Sequence, residues 1–260
     1  MISEAVRALE RFLLPNACVA CGRLVEGVAP DSLVCGPCRS RMRPVPPGCS
    51  RCRQPMPPVG PCRFCDHWPE GLRTATSAVW LGEEAREIVH HLKYEGFTTL
   101  AELAANAIAR NCESPPPSAI LVPIPLGARR RLERGYNQAA EIARALGRIW
   151  SLPMRDTVIR RCLETRSQTT LSPQERAKNM SGVFAAVLPH SAVLNTDEPR
   201  SRRDGNATQP NLAILVDDVF TTGATIASAA TALLDAGWTE VRAVTFARAL
   251  PFEVRVETQY

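Results

Sequence analysis

The stretch "ILVDDVFTTGAT", residues 214–225, joins an apolar strand pattern to two adjacent aspartates and then to a Thr/Gly/Ala cluster. Residues with helical spacing follow directly. In an open parallel sheet, ligands bind beyond the carboxyl ends of the strands. We therefore predict a buried strand that ends at Val216, with Asp217 and Asp218 at the rim of the sheet and a turn into a helix after them.

The turn at residues 221–225 has the features of an anion site. Backbone N–H groups at the start of a helix are unpaired and suit a phosphate, and the helix dipole favours negative charge there. Gly223 allows close approach of the backbone, while the threonine hydroxyls add donors. An alternative is that the acids only cap the next helix. Capping needs one acid, however, and does not account for two acids followed by two threonines and a glycine.

Apolar segments alternate with segments of helical spacing from about residue 71 onward. The predicted strands are residues 77–81, 119–125, 182–187, 212–216 and 240–247. The predicted helices are residues 83–94, 98–112, 137–150 and 224–237. Such alternation is typical of an α/β fold, in which helices cover both faces of a parallel sheet.

Two polar segments interrupt this alternation. Residues 163–179 carry many charges and contain a helix start at Ser172 and Pro173, with Glu175 three positions after the cap. Residues 189–211 show no periodicity, so we expect a flexible surface loop there.

Eight of the ten cysteines form four C-x-x-C pairs in the first part of the chain. The pairs are Cys18/Cys21, Cys35/Cys38, Cys49/Cys52 and Cys62/Cys65. Two such turns supply four thiolates to one tetrahedral metal, so the spacing predicts two zinc sites. A disulfide framework is the alternative, but the chain shows no secretory signal and cytosolic thiols stay reduced. Four cysteines leave no open coordination position, which makes these zinc ions structural rather than catalytic.

The cysteine-rich segment needs metal to fold, because it has few large apolar side chains and seven prolines between residues 44 and 61. Structural zinc contributes about 10–16 kcal/mol in zinc-finger peptides. We expect two domains: residues 1–70, with an amino-terminal helix and a double zinc ribbon, and residues 71–260, with the α/β fold.

The net charge of +5 is unevenly distributed. Residues 32–65 contain no acid but six arginines, namely Arg39, Arg41, Arg43, Arg51, Arg53 and Arg63. These arginines are compatible with a nucleic-acid surface or with neutralisation of zinc-bound thiolates. The amino terminus carries charges through its apolar positions, and no apolar run is long enough to span a bilayer. We therefore expect a cytoplasmic protein without membrane insertion.

Residues 214–225 resemble the phosphoribosyl pyrophosphate (PRPP) motif of type I phosphoribosyltransferases, in which apolar residues precede two acids and T-T-G-x-T. In that family the acids bind the ribose hydroxyls and the loop binds the 5′-phosphate. The resemblance implies that Asp217 and Asp218 bind the ribose. The residues that would bind the phosphate are Thr221, Thr222, Gly223, Ala224 and Thr225. A sugar phosphate thus accounts for paired acids beside an anion turn.

Further segments resemble the ComF family, which is named for a competence protein and includes relatives of GntX. They are "HLKYEG" (91–96), "VPIPLGARRRLERGYNQ" (122–138), "TRSQTTLSPQERAKNMSGVF" (165–184) and the double cysteine module. The resemblance covers nearly the whole chain and departs at 189–211, where a shorter link is expected. It implies a type I phosphoribosyltransferase fold with a flexible hood, preceded by a double zinc ribbon.

The resemblance also implies where pyrophosphate binds. The loop after the second predicted strand, from Pro123 to Gly127, is the expected position, and Mg²⁺ would bridge pyrophosphate and ribose oxygens. The arginines that follow this loop match phosphate oxygens in pairs, and they are Arg129, Arg130, Arg131 and Arg134. A solvated basic helix start is the alternative. The candidate clamps of the hood are Arg166, Arg176 and Lys178.

Two classes of function are compatible with these features. The first is an enzyme that transfers the phosphoribosyl group of PRPP to an acceptor that no residue identifies. The second is a non-catalytic factor that binds single-stranded DNA or a protein and uses PRPP as a signal. The ComF resemblance implies a link to competence and DNA uptake, with DNA replication or recombination proteins, or a second copy of the chain, as partners.

Overall fold

The structure is a computed structural model, and it describes residues 17–25, 33–55, 62, 64–162, 182–186 and 212–249. In chain order the elements are α1 (Gly36–Arg41), β1 (Leu72–Trp80), α2 (Glu83–Tyr94), α3 (Leu100–Asn111), β2 (Ile120–Pro123), α4 (Ala128–Arg134), α5 (Gln138–Trp150), β3 (Ile159–Arg161), β4 (Phe184–Ala186), β5 (Leu212–Phe220), α6 (Ala224–Asp235) and β6 (Glu240–Arg248).

A four-stranded sheet of order β1-β6-β5-β2 lies at the centre of the described structure. Each pair of neighbours is parallel. The first five residues of β5 are all buried, as expected for a strand that is covered on both faces. This confirms the predicted α/β class with a parallel sheet.

Alternate residues of β5 face two separate cores. Ile214 and Val216 pack in one core with residues of α2, α3 and α5. Ala213 and Leu215 pack in the other core with residues of α6. This period of two follows from the pleat of a strand, which points successive side chains to opposite faces. The sheet is therefore the middle of three layers, and successive side chains from Leu212 to Val216 face different cores.

The connection between the two groups of cysteines covers one edge of the sheet. Pro44 forms an antiparallel bridge with Val79 of β1. The N–H of Trp80 donates to the carbonyl of Arg43 at 2.9 Å, and the N–H of Val45 donates to that of Ala78 at 3.2 Å. An unpaired edge strand is a template for aggregation, so this segment protects β1.

Several predicted bounds differ from the structure. The helix predicted at residues 83–94 agrees with α2, whereas the strand predicted at 77–81 begins earlier, because β1 spans Leu72–Trp80. The strand predicted at 182–187 is β4, which pairs antiparallel with β3 in a small separate sheet. Sequence reasoning assigned no element to β3 or α1 and considered a helix start at α4 only as an alternative, because all three are short and lack a full period of apolar residues.

Several other predicted features lie outside the described residues. They are the amino-terminal helix, the hood segment 163–179 and the loop 189–211. The division into domains at residue 70 stays a prediction. None of the described helices combines the length and the apolarity that crossing a bilayer requires.

Candidate functional site

The two adjacent aspartates lie inside β5 rather than beyond its end. The prediction that the strand stops at Val216 is wrong, because β5 continues to Phe220. The reason is that β6 is equally long and supplies ladder partners: Asp217 lies opposite Thr245, and Phe220 lies opposite Arg248. The acids are thus held by regular backbone pairing, and the turn begins only after Phe220.

Asp218 faces the core that contains α2. Its residue exposure is 3%. Its Oδ1 lies 2.9 Å from the Nζ of Lys93, in the last turn of α2. Its Oδ2 is buried and has no hydrogen-bond partner in the described part of the chain. Buried polar atoms are almost always paired, so an unpaired carboxylate oxygen indicates a missing ligand or water.

Asp217 is partly buried, and the alternation of side chains along a strand directs it to the opposite face from Asp218. Its Oδ1 accepts a hydrogen bond of 2.9 Å from the N–H of Asp218. Burial raises the pKa of Asp217 to about 7, the negative charge of Asp218 adds to this effect, and Lys93 opposes it. The site therefore combines a carboxylate that is paired with an ammonium group and a carboxyl that titrates near neutral pH.

The turn after β5 brings backbone N–H groups to the site. Gly223 has φ 78° and is the N-cap of α6, which runs for 12 residues. Most residues avoid this left-handed conformation, so glycine is required here. The first turn of α6 contains no acidic side chain to compete for its N–H groups. Thr222 Oγ1 lies 3.5 Å from the N–H of Ala224. The arrangement suits an anion.

The loop after β2 lies at the same edge of the sheet. Pro123 pairs with Val216 in the ladder, and the N–H of Ile124 donates to the carbonyl of Val216 at 2.9 Å. Asn137 Nδ2 donates to the carbonyl of Ile124 at 2.9 Å, which ties the loop to the start of α5. Gly127 is the N-cap of α4. The predicted pyrophosphate loop and the two acids therefore belong to neighbouring strands.

The arginines of α4 have different partners. Arg129 Nε lies 2.8 Å from Glu133 Oε1 on the same helix. The guanidinium of Arg134 lies 4.8 Å from the centre of the Tyr94 ring and donates to Gln138 Oε1 at 3.0 Å. The pair of Arg134 and Tyr94 joins the ends of α4 and α2, next to Lys93. The role of Arg129, Arg130 and Arg134 in pyrophosphate binding stays a prediction.

Lys93 is the site residue that sequence reasoning did not connect to the acids. The segment "HLKYEG" marked it as part of a motif, but its carboxylate partner lies far away in the sequence. Only the packing of α2 against the sheet brings the two groups together. The hood candidates Arg166, Arg176 and Lys178 lie outside the described residues.

The eight paired cysteines form two tetrads. The sulfurs of Cys18, Cys21, Cys35 and Cys38 lie within 4.8 Å of one another, and so do those of Cys49, Cys52, Cys62 and Cys65. Sulfur–sulfur distances across the tetrads are 3.7 Å in the first and 3.5 Å in the second. Four thiolates around zinc at about 2.3 Å are separated by roughly 3.8 Å, so both tetrads could hold a zinc ion.

Several of the arginines near the tetrads serve this module. Arg41 Nη2 lies 3.0 Å from Cys38 Sγ, and Arg41 also pairs with Glu84 of α2. Arg39 donates to the carbonyl of Val34 at 2.9 Å. Arg63 lies outside the described residues. The contact of Arg41 with Cys38 supports the interpretation that these arginines neutralise thiolates, whereas Arg39 holds a backbone carbonyl.

Comparison with known proteins shows relatives over much of the chain. No model of a protein family matches the sequence. Competence protein F of Haemophilus influenzae is 31% identical over 150 residues, which cover 58% of this chain and 58% of that protein. Competence protein ComFC of Bacillus subtilis is 28% identical over 217 residues, 80% of each chain. DNA utilization protein YhgH of Escherichia coli (strain K12) is 25% identical over 196 residues, 73% of this chain and 78% of that protein.

The raised pKa of Asp217 predicts how stability depends on pH. The folded state keeps the proton that the unfolded chain releases near pH 4, so the free energy of unfolding should fall as pH rises from about 4 to about 7. The loss is at most about 1.4 kcal/mol for each pH unit. Asp217→Asn should remove this part of the pH dependence in urea unfolding, because its amide cannot ionise. Asp235→Asn, an exposed control, should follow the wild-type profile; parallel profiles for all three chains would contradict the assignment.

Proposed function

Because the chain belongs to the ComF family of competence proteins, we propose that it binds PRPP and acts in the uptake and processing of DNA. The part of PRPP that these residues bind is its ribose 5-phosphate moiety. Asp217 and Asp218 bind the ribose hydroxyls, and residues 221–225 bind the 5′-phosphate. The proposed compartment is the cytoplasm.

The buried and unpaired oxygen of Asp218 carries this proposal. A carboxylate oxygen without a donor is costly, and a ribose hydroxyl supplies the missing hydrogen bond. Three residues after Phe220, the left-handed Gly223 opens a helix towards which an anion is attracted. A ligand that offers both a hydroxyl donor and a phosphate therefore satisfies two adjacent features at once.

The remaining part of PRPP fits the neighbouring loop. Residues 123–127 would hold the pyrophosphate, with the arginines of α4 as donors in bidentate hydrogen bonds. Mg²⁺ binds with one or two carboxylates plus substrate phosphates, and Asp217 and Asp218 are the carboxylates that this site offers. When bound, Mg²⁺ neutralises charge on the departing pyrophosphate. The Nζ of Lys93, 2.9 Å from Asp218 Oδ1, orients this carboxylate.

The proposed reaction is phosphoribosyl transfer with release of pyrophosphate. A hood formed by the segment between β3 and β4 would exclude water from the reactive ribosyl carbon, with Arg166, Arg176 and Lys178 as its clamps. The alternative is a factor that binds PRPP as a signal without turnover. The enzyme and the signal-binding factor differ in whether any acceptor becomes phosphoribosylated.

A surface next to the acids favours contact with single-stranded DNA in either case. Tyr94 is 65% exposed, and Arg134 lies over its ring. An exposed aromatic ring beside a cation is the combination on which bases of a single strand stack. The names of the relatives, which refer to competence and DNA utilization, agree with such a partner. DNA replication or recombination proteins and a second copy of the chain are further proposed partners.

We also propose that each cysteine tetrad holds one structural zinc ion. Metal analysis of the purified chain should give about two zinc ions per molecule, because eight thiolates are shared four to a metal. Cys38→Ser should lower the content to about one. Ser substitution of Cys112, which lies outside both tetrads, should leave it at two. A metal-free chain that is folded and reduced would refute this assignment.

Binding of PRPP with Mg²⁺ should be detectable by calorimetry of the full chain. Asp218→Asn should weaken it by tenfold or more, since a hydrogen bond to a charged group contributes about 1.5–3 kcal/mol. Asp235→Asn, at the exposed far end of α6, is the matched control and should bind as the wild type does. The absence of heat with the wild-type chain would remove the proposal. Release of pyrophosphate with some acceptor supports the enzyme, whereas tight binding without turnover supports the sensor.

Binding of a labelled oligothymidylate should test the DNA surface. Tyr94→Ala should weaken binding by about 1–3 kcal/mol, the contribution of one stacked base. Arg134→Met should reduce the salt dependence of binding, because one phosphate contact is lost. The control is Leu132→Ala, since Leu132 is also exposed on α4 but offers neither an aromatic ring nor a charge. Binding that is indifferent to salt and to both variants would exclude this surface.

A further inference from the structure

The two cysteine tetrads lie in different cores. All four cysteines of the second tetrad are buried in the core that contains Trp68, Phe220 and the first turn of α6. Cys18 and Cys38 of the first tetrad belong to the core that contains α2, α3 and α5. The second tetrad is therefore packed on the side of the sheet where the turn at residues 221–225, called the phosphate turn below, starts.

The phosphate turn rests directly on an aromatic ring that follows the second tetrad. A Cβ atom at Gly223 would lie 2.9 Å from Cζ2 of Trp68 and 2.8 Å from Cζ of Phe220. The two rings contact each other with centroids 6.1 Å apart. A side chain at residue 223 would thus collide with both rings, and the turn packs directly against them.

Trp68 itself is placed by the last pair of cysteines. The backbone N–H of Trp68 donates to the carbonyl of Cys65 at 3.2 Å. Its indole Nε1 is buried without a hydrogen-bond partner in the described part of the chain. The ring is therefore held by packing and by the local backbone, and the backbone turn at Cys65 is what a bound metal would fix.

Arg51 adds a second connection between the tetrad and Trp68. Its Nη1 donates to the carbonyl of Cys65 at 3.0 Å. Its Nη2 donates to the carbonyls of Pro69 at 3.2 Å and Leu72 at 3.0 Å, on either side of the turn into β1. The guanidinium also lies 5.8 Å from the centre of the Trp68 ring. Arg51 thus holds the segment from Cys65 to Leu72, which connects the tetrad to the sheet.

Arg248 connects the tetrad to the other ring under the turn. It is the last residue of β6, is 1% exposed and lies 4.1 Å over the ring of Phe220. Its Nη1 donates to the carbonyl of Cys52 at 2.6 Å, and its Nε and Nη2 donate to Gln54 Oε1 at 3.2 and 2.9 Å. A buried cation without such acceptors is strongly destabilising, so Arg248 keeps this place only while the cysteine loop is closed.

We propose that the second cysteine tetrad, through Trp68 and Arg248, positions the phosphate turn and makes sugar phosphate binding depend on metal in that tetrad. The inference rests on the proposed function for the identity of the ligand. Trp68 and Arg248 are positioning residues, because they act on the turn through Phe220 and Gly223. Loss of metal from this tetrad, by chelation or by oxidation of its thiolates, releases the two rings and lets the turn move.

The first tetrad has a different connection to the site. Arg41, in the helix that carries Cys38, pairs with Glu84 in the first turn of α2. Lys93 lies nine residues after Glu84 in the same helix, which places the two residues about 14 Å apart along the helix axis. The first tetrad thus packs on α2 at the end opposite to Lys93, and loss of its metal leaves the rings below Gly223 in place.

Three measurements on the full chain test this dependence. They are zinc content, hydrogen exchange of the amides at residues 221–226, and the affinity for ribose 5-phosphate by calorimetry. Cys52→Ser should lose one zinc ion, speed exchange at 221–226 by tenfold or more and weaken affinity by tenfold or more. Cys38→Ser is the matched control: it should lose the other zinc ion and change exchange and affinity less than twofold. Equal effects of the two variants on residues 221–226 would overturn the inference.

A second variant keeps the test decisive if Cys52→Ser unfolds the chain. Trp68→Leu should retain both zinc ions and still speed exchange at residues 221–226, while Trp68→Phe should give a smaller effect because it keeps a ring in the contact. Unchanged exchange in Trp68→Leu would overturn the inference. If the wild-type chain does not bind ribose 5-phosphate, the proposed function fails, and hydrogen exchange alone then decides whether the second tetrad positions the turn.

Discussion

The parallel ladder between β5 and β6 is the interaction on which the candidate site depends. It continues beyond the apolar residues of β5, so that Asp217 lies opposite Thr245 and Phe220 lies opposite Arg248. Regular pairing sends the side chains of Asp217 and Asp218 to opposite faces of the sheet. It also places Phe220 where the turn begins and where Arg248 covers its ring. The acids, the turn and the contact with the cysteine module all follow from this one extension of the strand.

Two acids in a partly buried strand oppose folding, and the structure offsets that cost only in part. Lys93 pairs with one oxygen of Asp218, while the other oxygen stays unpaired in the described part of the chain. Burial and the neighbouring charge raise the pKa of Asp217 to about 7. Groups that remain unsatisfied or shifted in this way are characteristic of functional sites, where stability is exchanged for ligand affinity. The same residues that weaken the fold are therefore the ones to which we propose that the ribose binds.

The cysteine module is part of the core of the described structure. One tetrad packs on the side of α2 and the other on the side of α6, and the segment between them covers the edge of β1. Arg41 and Arg51 of the module donate to a thiolate and to a carbonyl, and Arg248 of β6 donates to a carbonyl of the module. Metal in such tetrads would contribute folding energy that the small number of large apolar side chains does not. The module thus supports the sheet and, on one side, the turn beside the acids.

The amino-acid sequence by itself determined the cysteine spacing, the alternation of strands and helices, and the helix at residues 83–94, because each is encoded by neighbours in the chain. It also marked Asp217, Asp218 and the turn after them. Only the tertiary structure decided that β5 extends to Phe220, that Lys93 pairs with Asp218, and that Trp68 lies under Gly223. These contacts join residues that are far apart in sequence, and packing between layers selects the partner. No local period of apolar residues carries that information.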